Sequence, residues 1–169
     1  LHERRAAHLA RFGVSTNPIN KKRTQIREAC QQAAPLAPGL FSLTVPTGGG
    51  KTLASLAFAL KHARAHGFKR VLYVIPYVSI REQNADVFRE AIGAHNVVEH
   101  HANFSFDDED EWHVRQRLST ENWDAPMIDT TNVQFYESRF SARASQVRKL
   151  PHIEESVTLF AAAQHIHQT

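Results

Sequence analysis

The chain has 169 residues, of which 42% are hydrophobic, and this size and composition suit one domain with a buried core. Its 20 basic and 17 acidic residues give a net charge of +3, which permits nucleic-acid binding without arguing for it. Cys30 is the single cysteine, so an internal disulfide is excluded and a reducing, cytoplasmic location is expected. No apolar run approaches the about 20 residues of a membrane span, and no membrane association is expected.

The first part of the chain is polar and basic. We interpret residues 1–16 as a linker or the remnant of a preceding region, and the missing initiator Met indicates a piece of a longer protein. A helix is predicted from about Ile19 to Ala34, because Pro35 and then Pro38-Gly39 stop it. An apolar run predicts the first strand over Leu40–Val45.

A glycine-rich run follows that predicted strand and opens a helix predicted to end at Gly67. Strand, glycine turn, Lys-Thr and helix in this order are typical of a phosphate-binding loop, although Val45 stands where the strict pattern has glycine. Backbone N–H groups would point at one anion, Lys51 would neutralise the β and γ phosphates of ATP, and the Thr52 hydroxyl would hold Mg²⁺. The alternative is a plain glycine turn before a helix. The predicted nucleotide site consists of Thr47, Gly48, Gly49, Gly50, Lys51 and Thr52, with Lys51 and Thr52 as its catalytic residues.

The rest of the chain alternates between strands and helices. Strands are predicted over residues 70–76, 96–99, 127–130 and 156–160, and helices over residues 79–92, 112–118 and 133–140. This alternation predicts an α/β fold with a parallel sheet and helices on both faces. Ligands bind at the carboxyl ends of such strands, so the glycine loop, Pro76-Tyr77 and Thr130-Thr131-Asn132 are expected to share one rim.

Residues 43–52 resemble motif I of superfamily 2 helicases, which keep Pro-Thr-Gly-x-Gly-Lys-Thr without the leading glycine. Val74-Ile75-Pro76-Tyr77, with Ser79, Gln83 and Asn84, resembles the next helicase motif. Together with residues 39–42, 99–101 and 130–135, these segments resemble the helicase-nuclease of type I CRISPR interference. The resemblance implies a RecA-like P-loop NTPase domain, the first helicase lobe, over residues 17–169.

This resemblance implies a motor that hydrolyses ATP with Mg²⁺ and moves 3′→5′ along single-stranded DNA. It further implies recruitment by a multi-protein CRISPR surveillance complex in antiviral defence. Tyr77, Gln83, Thr131 and Asn132 match segments that lie along the DNA backbone in related helicases. For Thr131 and Asn132 the alternative is a helix cap, and Gln25, at the place of an adenine-reading glutamine, is interpreted as a solvated residue.

The chain departs from the family at motif II. Asp-Glu-Ala-Gln should follow the last strand, but Ala161 and Ala162 stand where the two carboxylates belong. Hydrolysis is therefore expected to fall by several orders of magnitude. The lobe is expected to be incomplete at its C-terminus, without a second lobe or the strand that lies between the motif I and motif II strands. Two other functions stay open: a non-catalytic nucleotide- or DNA-binding module, and a small P-loop kinase with Arg143, Arg148 and Lys149 as its basic lid.

Overall fold

A computed structural model describes residues 17–76, 81–100, 123–140 and 149–161. The predicted helix over residues 112–118 lies outside these ranges. None of the helices in the described ranges is long and apolar enough to cross a membrane. The helices are α1 (Pro18–Ala33), α2 (Lys51–His66), α3 (Arg81–Ile92), α4 (Asn132–Phe140) and α5 (Leu150–Glu154), and the strands are β1 (Arg70–Ile75), β2 (Val97–His100), β3 (Met127–Thr131) and β4 (Ser156–Phe160).

The four strands form one sheet in the order β2-β3-β1-β4, and every pair is parallel. β1 lies inside the sheet and is buried along its whole length, as its continuous apolar sequence predicts. The register sets Ile75 beside Thr131 and Val74 beside Phe160, so the carboxyl ends of β1, β3 and β4 form one edge. The predicted α/β class with a parallel sheet is confirmed.

Helices cover both faces of the sheet. Alternate side chains of each strand point to opposite faces, so the apolar residues of β1 need a packing partner on each face. Tyr73 and Ile75 of β1 pack with Leu56 of α2 and Phe88 of α3 in one core cluster. Leu72 and Val74 point the other way and form the second cluster with residues that include Phe135 of α4 and Ile153 of α5. The helices on both faces are therefore also confirmed.

The first helical pair is fixed by caps and by two histidines. The Asn17 side chain accepts a hydrogen bond from Ile19 N at 2.9 Å and caps α1. α2 ends at Gly67, whose φ of 75° is the left-handed conformation that glycine adopts at a helix end. His62 and His66, one turn apart on α2, contact the carbonyl oxygens of Ala34 and Leu36 at 2.7 and 2.8 Å. The chain just after α1 is thereby fastened to the far end of α2.

The predicted strand over Leu40–Val45 is wrong, because residues 40–46 have no regular secondary structure. Leu40 is fully exposed, Phe41 packs on Phe58 of α2 with ring centroids 4.9 Å apart, and only Val45 is buried. A strand needs a neighbour for its backbone N–H and C=O groups. The resemblance places a further strand between this segment and β4, and no strand of the described residues lies there.

β4 forms the edge of the sheet on the side where the resemblance places that further strand. It pairs with β1 and with no other strand of the described parts of the chain. Its residues are only half-buried, and Phe160 at its end is 56% exposed. An apolar strand with one unpaired edge is a template for pairing with another strand.

Candidate nucleotide-binding site

The glycine loop is a tight turn that depends on its glycines. Gly49 N donates to the Pro46 carbonyl oxygen at 3.0 Å and closes the turn. Gly48 and Gly50 both have φ of 80°, a conformation that other residues adopt only at a cost. A Cβ on Gly49 would lie 2.3 Å from Val45 Cγ1 and 3.0 Å from the Pro46 oxygen. The backbone at Gly49 therefore fits a space that no side chain could share.

The loop leads directly into the N-terminus of α2. Gly50 is the residue before the helix, and no side chain caps the helix there. The first intrahelical bond runs from Ala54 N to the Gly50 carbonyl oxygen at 3.0 Å. The amides of the first turn point out of the helix with the positive end of its dipole, which suits an anion. Lys51 and Thr52, the first two residues of α2, bring an ammonium and a hydroxyl group to this terminus.

The Thr52 hydroxyl is held by two neighbouring side chains. Its Oγ1 donates to Asn84 Oδ1 of α3 at 3.4 Å, and it shares a side-chain hydrogen bond with Tyr73 of β1. Burial raises the pKa of Tyr73; the bond with Thr52 lowers that pKa, and the negative charge of Asp129 raises it further. The bond to Asn84 joins the first turn of α2 to the first turn of α3, at the carboxyl edge of the sheet.

Two acidic side chains lie buried on the same face of the sheet as Tyr73. Register places Glu99, Asp129 and Tyr73 side by side on β2, β3 and β1, so all three point to the face that α2 and α3 cover. Asp129 is fully buried, and Glu99, 7% exposed, forms an ion pair with Arg89 of α3. In the sequence, the only indication of this row of three side chains is that each of two predicted strands contains one acidic residue.

Arg23 of α1 reaches the loop, and sequence analysis missed it. Its Nε donates to the Gly48 carbonyl oxygen at 2.9 Å. Its side-chain carbons lie over Gly50, where a Cβ would come 3.3 Å from Arg23 Cγ. No pattern distinguishes Arg23 from the neighbouring lysines of this polar helix. Gln25, two residues on, is exposed.

Of the four predicted DNA-contacting residues, the structure describes the side chains of Thr131 and Asn132, and both lie at the carboxyl edge of the sheet. Thr131 ends β3 and is 8% exposed; its Oγ1 accepts a hydrogen bond from Gln134 N at 3.3 Å, the geometry of a helix cap. Asn132, the first residue of α4, is half-buried. Tyr77 lies outside the described residues. Gln83 belongs to α3, but its side chain is not among those described.

The first residue after β4, where the resemblance places an aspartate, is not acidic. Ala161 follows the strand, and its N donates to the Val74 carbonyl oxygen at 2.8 Å. Glu154 and Glu155 precede β4, and Glu155 pairs with Lys69 at 2.8 Å at the opposite edge of the sheet. The loop and the α2 N-terminus thus fit a phosphate chain, and Thr52 fits one metal ligand. A carboxylate ligand at Ala161 is absent.

Comparison with known proteins gives one family match. A family model described as type III restriction enzyme, res subunit, matches residues 20–152, a range that includes the loop, α2 and the first three strands. No curated protein matches the chain.

Proposed function

The chain belongs to the family of the type III restriction enzyme res subunit, and on this premise we propose that it is the ATP-binding first lobe of a DNA motor. The family is helicase-like, of superfamily 2, and the match supports an N-terminal helicase lobe. The proposed motor is an ATP-dependent single-stranded DNA translocase or helicase, with residues 17–169 in the lobe. Its role in CRISPR antiviral defence, with a surveillance complex as partner, is proposed from the resemblance of residues 17–160.

One observation carries the proposal: a glycine turn joins an uncapped helix N-terminus that begins Lys51-Thr52 at the carboxyl edge of a parallel sheet. Backbone amides there converge on a place where an anion is stabilised without any side chain. Ligands of open α/β sheets bind at this edge. A bound ATP would place its phosphates on the amides of residues 48 and 50–52 and its charge near the Lys51 ammonium, while the Gly49 N–H closes the turn with Pro46.

Mg²⁺ would supply charge neutralisation of the phosphates and orientation of the attacking water. Of the chain's own residues, the Thr52 hydroxyl would hold the ion, with Asn84 and Tyr73 fixing the direction of that hydroxyl. Ala161 offers no carboxylate to orient water on the metal. We therefore propose that the chain binds ATP·Mg²⁺ and hydrolyses it several orders of magnitude more slowly than a complete motor.

Ala161 also favours a second candidate of a different class, a module that binds nucleotide or DNA and performs no chemistry. The two candidates differ in one respect, since a motor must hydrolyse ATP when its lobes are joined and a module need not. Thr131 and Asn132 would contact DNA phosphates in either case. The same would apply to Tyr77 and Gln83.

Titration with a fluorescent ATP analogue (mant-ATP) in the presence of Mg²⁺ tests the nucleotide site. Lys51→Ala is expected to weaken binding by at least tenfold, since it removes a cation from the phosphates. Lys61→Ala is the matched control, because Lys61 is exposed on the same helix, away from the loop. Equal affinities for the wild type and Lys51→Ala would overturn the nucleotide site.

Two further assays test the proposed inactivity and the DNA contacts. A steady-state ATPase assay with single-stranded DNA is expected to show no appreciable turnover, and motor-like turnover would refute the proposed inactivity. Titration with a labelled single-stranded oligonucleotide is expected to show weaker binding for Asn132→Ala. Val133→Ala is its control, because Val133 is exposed at the next position and has no polar group. Equal loss in both variants would contradict a phosphate contact at Asn132.

A further inference from the structure

We propose that Arg23 is a positioning residue of the nucleotide site: it braces the glycine loop in the conformation that receives phosphate. The inference rests on the proposed function for its ligand. It adds a residue from a different helix, outside the glycine motif, and it makes the orientation of one peptide group depend on α1.

The contact is specific to the arginine side chain. Arg23 Nε donates to the Gly48 carbonyl oxygen at 2.9 Å, and Nη1 lies 3.4 Å from Asn20 Oδ1 of the preceding turn. The aliphatic part of Arg23 covers the α-carbon of Gly50, the other loop residue with positive φ. One side chain therefore touches both positions at which the loop turns.

The helix that carries Arg23 is itself fixed. α1 packs along α2, and the chain after α1 is fastened to α2 through His62 and His66. The Asn17 cap fixes the N-terminal end of α1. Arg23 thus reaches the loop from an element whose position is set by contacts elsewhere, which is what a preorganised site requires.

The bond fixes the direction of one peptide group. A carbonyl oxygen that turned toward a phosphate would repel it. By accepting a charge-assisted bond from Arg23, the Gly48 carbonyl is held toward α1, and the following N–H, that of Gly49, is kept in its turn with Pro46. Without the bond, the glycines gain conformations that do not bind an anion, and affinity falls.

The test compares Arg23→Ala, Arg23→Lys and the matched control Lys22→Ala, which removes a charge from an exposed neighbour on the same helix. Lysine keeps the charge but has a methylene where arginine has Nε. Arg23→Ala and Arg23→Lys are both expected to bind mant-ATP about five- to tenfold more weakly than the wild type, and Lys22→Ala to bind normally. Wild-type affinity in Arg23→Lys would overturn the brace and leave only a charge effect.

Hydrogen–deuterium exchange provides a readout that needs no nucleotide. In Arg23→Ala, the peptide that contains residues 46–50 should exchange faster, while peptides from α2 and β1 keep their protection. Unchanged exchange of the loop would overturn the inference. Faster exchange throughout, with equal losses of ATP and oligonucleotide binding, would also overturn it, because Arg23 would then act on the whole fold.

The mant-ATP titrations of these variants distinguish a failure of this inference from a failure of the proposed function. If Lys51→Ala loses mant-ATP binding and Arg23→Ala does not, the nucleotide site stands and the positioning role fails. If Lys51→Ala binds like the wild type, the proposed site fails, and the role of Arg23 toward phosphate fails with it.

Discussion

Replacing Gly49 with alanine tests the geometry of the loop directly. An added Cβ would lie 2.3 Å from Val45 Cγ1 and 3.0 Å from the Pro46 carbonyl oxygen, so atoms must move. Val45 is 4% exposed and cannot swing into solvent without losing its burial. The φ of Gly49 is outside the left-handed region, so steric overlap, and not backbone strain, determines the cost.

The size of the effect follows from these contacts. Overpacking a close-packed site costs about 1–3 kcal/mol, and we expect Gly49→Ala to lower the free energy of unfolding by about 2 kcal/mol. Val45→Ala alone should cost about 1.6 kcal/mol for two buried methyl groups. In the double variant the Cγ1 overlap disappears, so its loss should be smaller than the sum by about 1 kcal/mol. The Pro46 contact remains and keeps the recovery incomplete.

Urea unfolding of the four proteins in this double-mutant cycle measures the coupling. Gly39→Ala is the control, because its Cβ would meet only the Ala37 oxygen at 3.9 Å. Its stability should stay within about 0.5 kcal/mol of the wild type. Strict additivity of Val45→Ala and Gly49→Ala would refute the reasoning, since it would mean that the two side chains do not compete for one space.

Three further predictions concern groups outside the loop. Burial raises the pKa of the Cys30 thiol, so the rate of its alkylation by iodoacetamide should reach its midpoint at a higher pH in the folded protein than in urea; an equal midpoint would contradict this. Arg89→Ala removes the ion pair between Arg89 and the buried Glu99 and should lower the free energy of unfolding by about 1–3 kcal/mol; Glu99→Gln in the same protein should recover part of the loss, and no recovery would exclude the charge as its cause. Asn96→Ala removes the amide that donates to the Ile92 carbonyl oxygen at 2.7 Å and should cost about 1–2 kcal/mol in urea unfolding; Asn96→Asp should cost as much, and a wild-type stability in Asn96→Asp would exclude the donor as the cause.

Local signals in the sequence predicted most elements of the fold. The run around Val71–Ile75 is continuously apolar, which suits a strand buried on both faces, and Gly67 ended α2 where a left-handed residue was needed. The segment 40–45 is also mostly apolar and is not a strand. Whether this segment forms a strand depends on a neighbouring strand with which it can pair. The spacing of its apolar side chains contains no information about whether that neighbour is present.

The site was predictable only where its residues form a contiguous motif. The turn, Lys51 and Thr52 follow one another, so their spacing reveals them. Arg23 lies on a polar helix and Tyr73 on an apolar strand, and each looks ordinary in its own element. Only the packing of α1 on α2 and of α2 on β1 brings Arg23 to the loop and Tyr73 to Thr52.

The position of β1 at the centre of the sheet has a consequence for how the protein is made. Leu72 pairs with Ile128 on one side and with Thr158 on the other, so both of its neighbours are synthesised long after it. α1 and α2 are adjacent in sequence and pack on each other as soon as both have left the ribosome. β1 therefore lacks both of its strand neighbours until residues 127–131 and then 156–160 have been translated, and such long-range parallel pairing is slow to form and leaves strand edges exposed in the meantime.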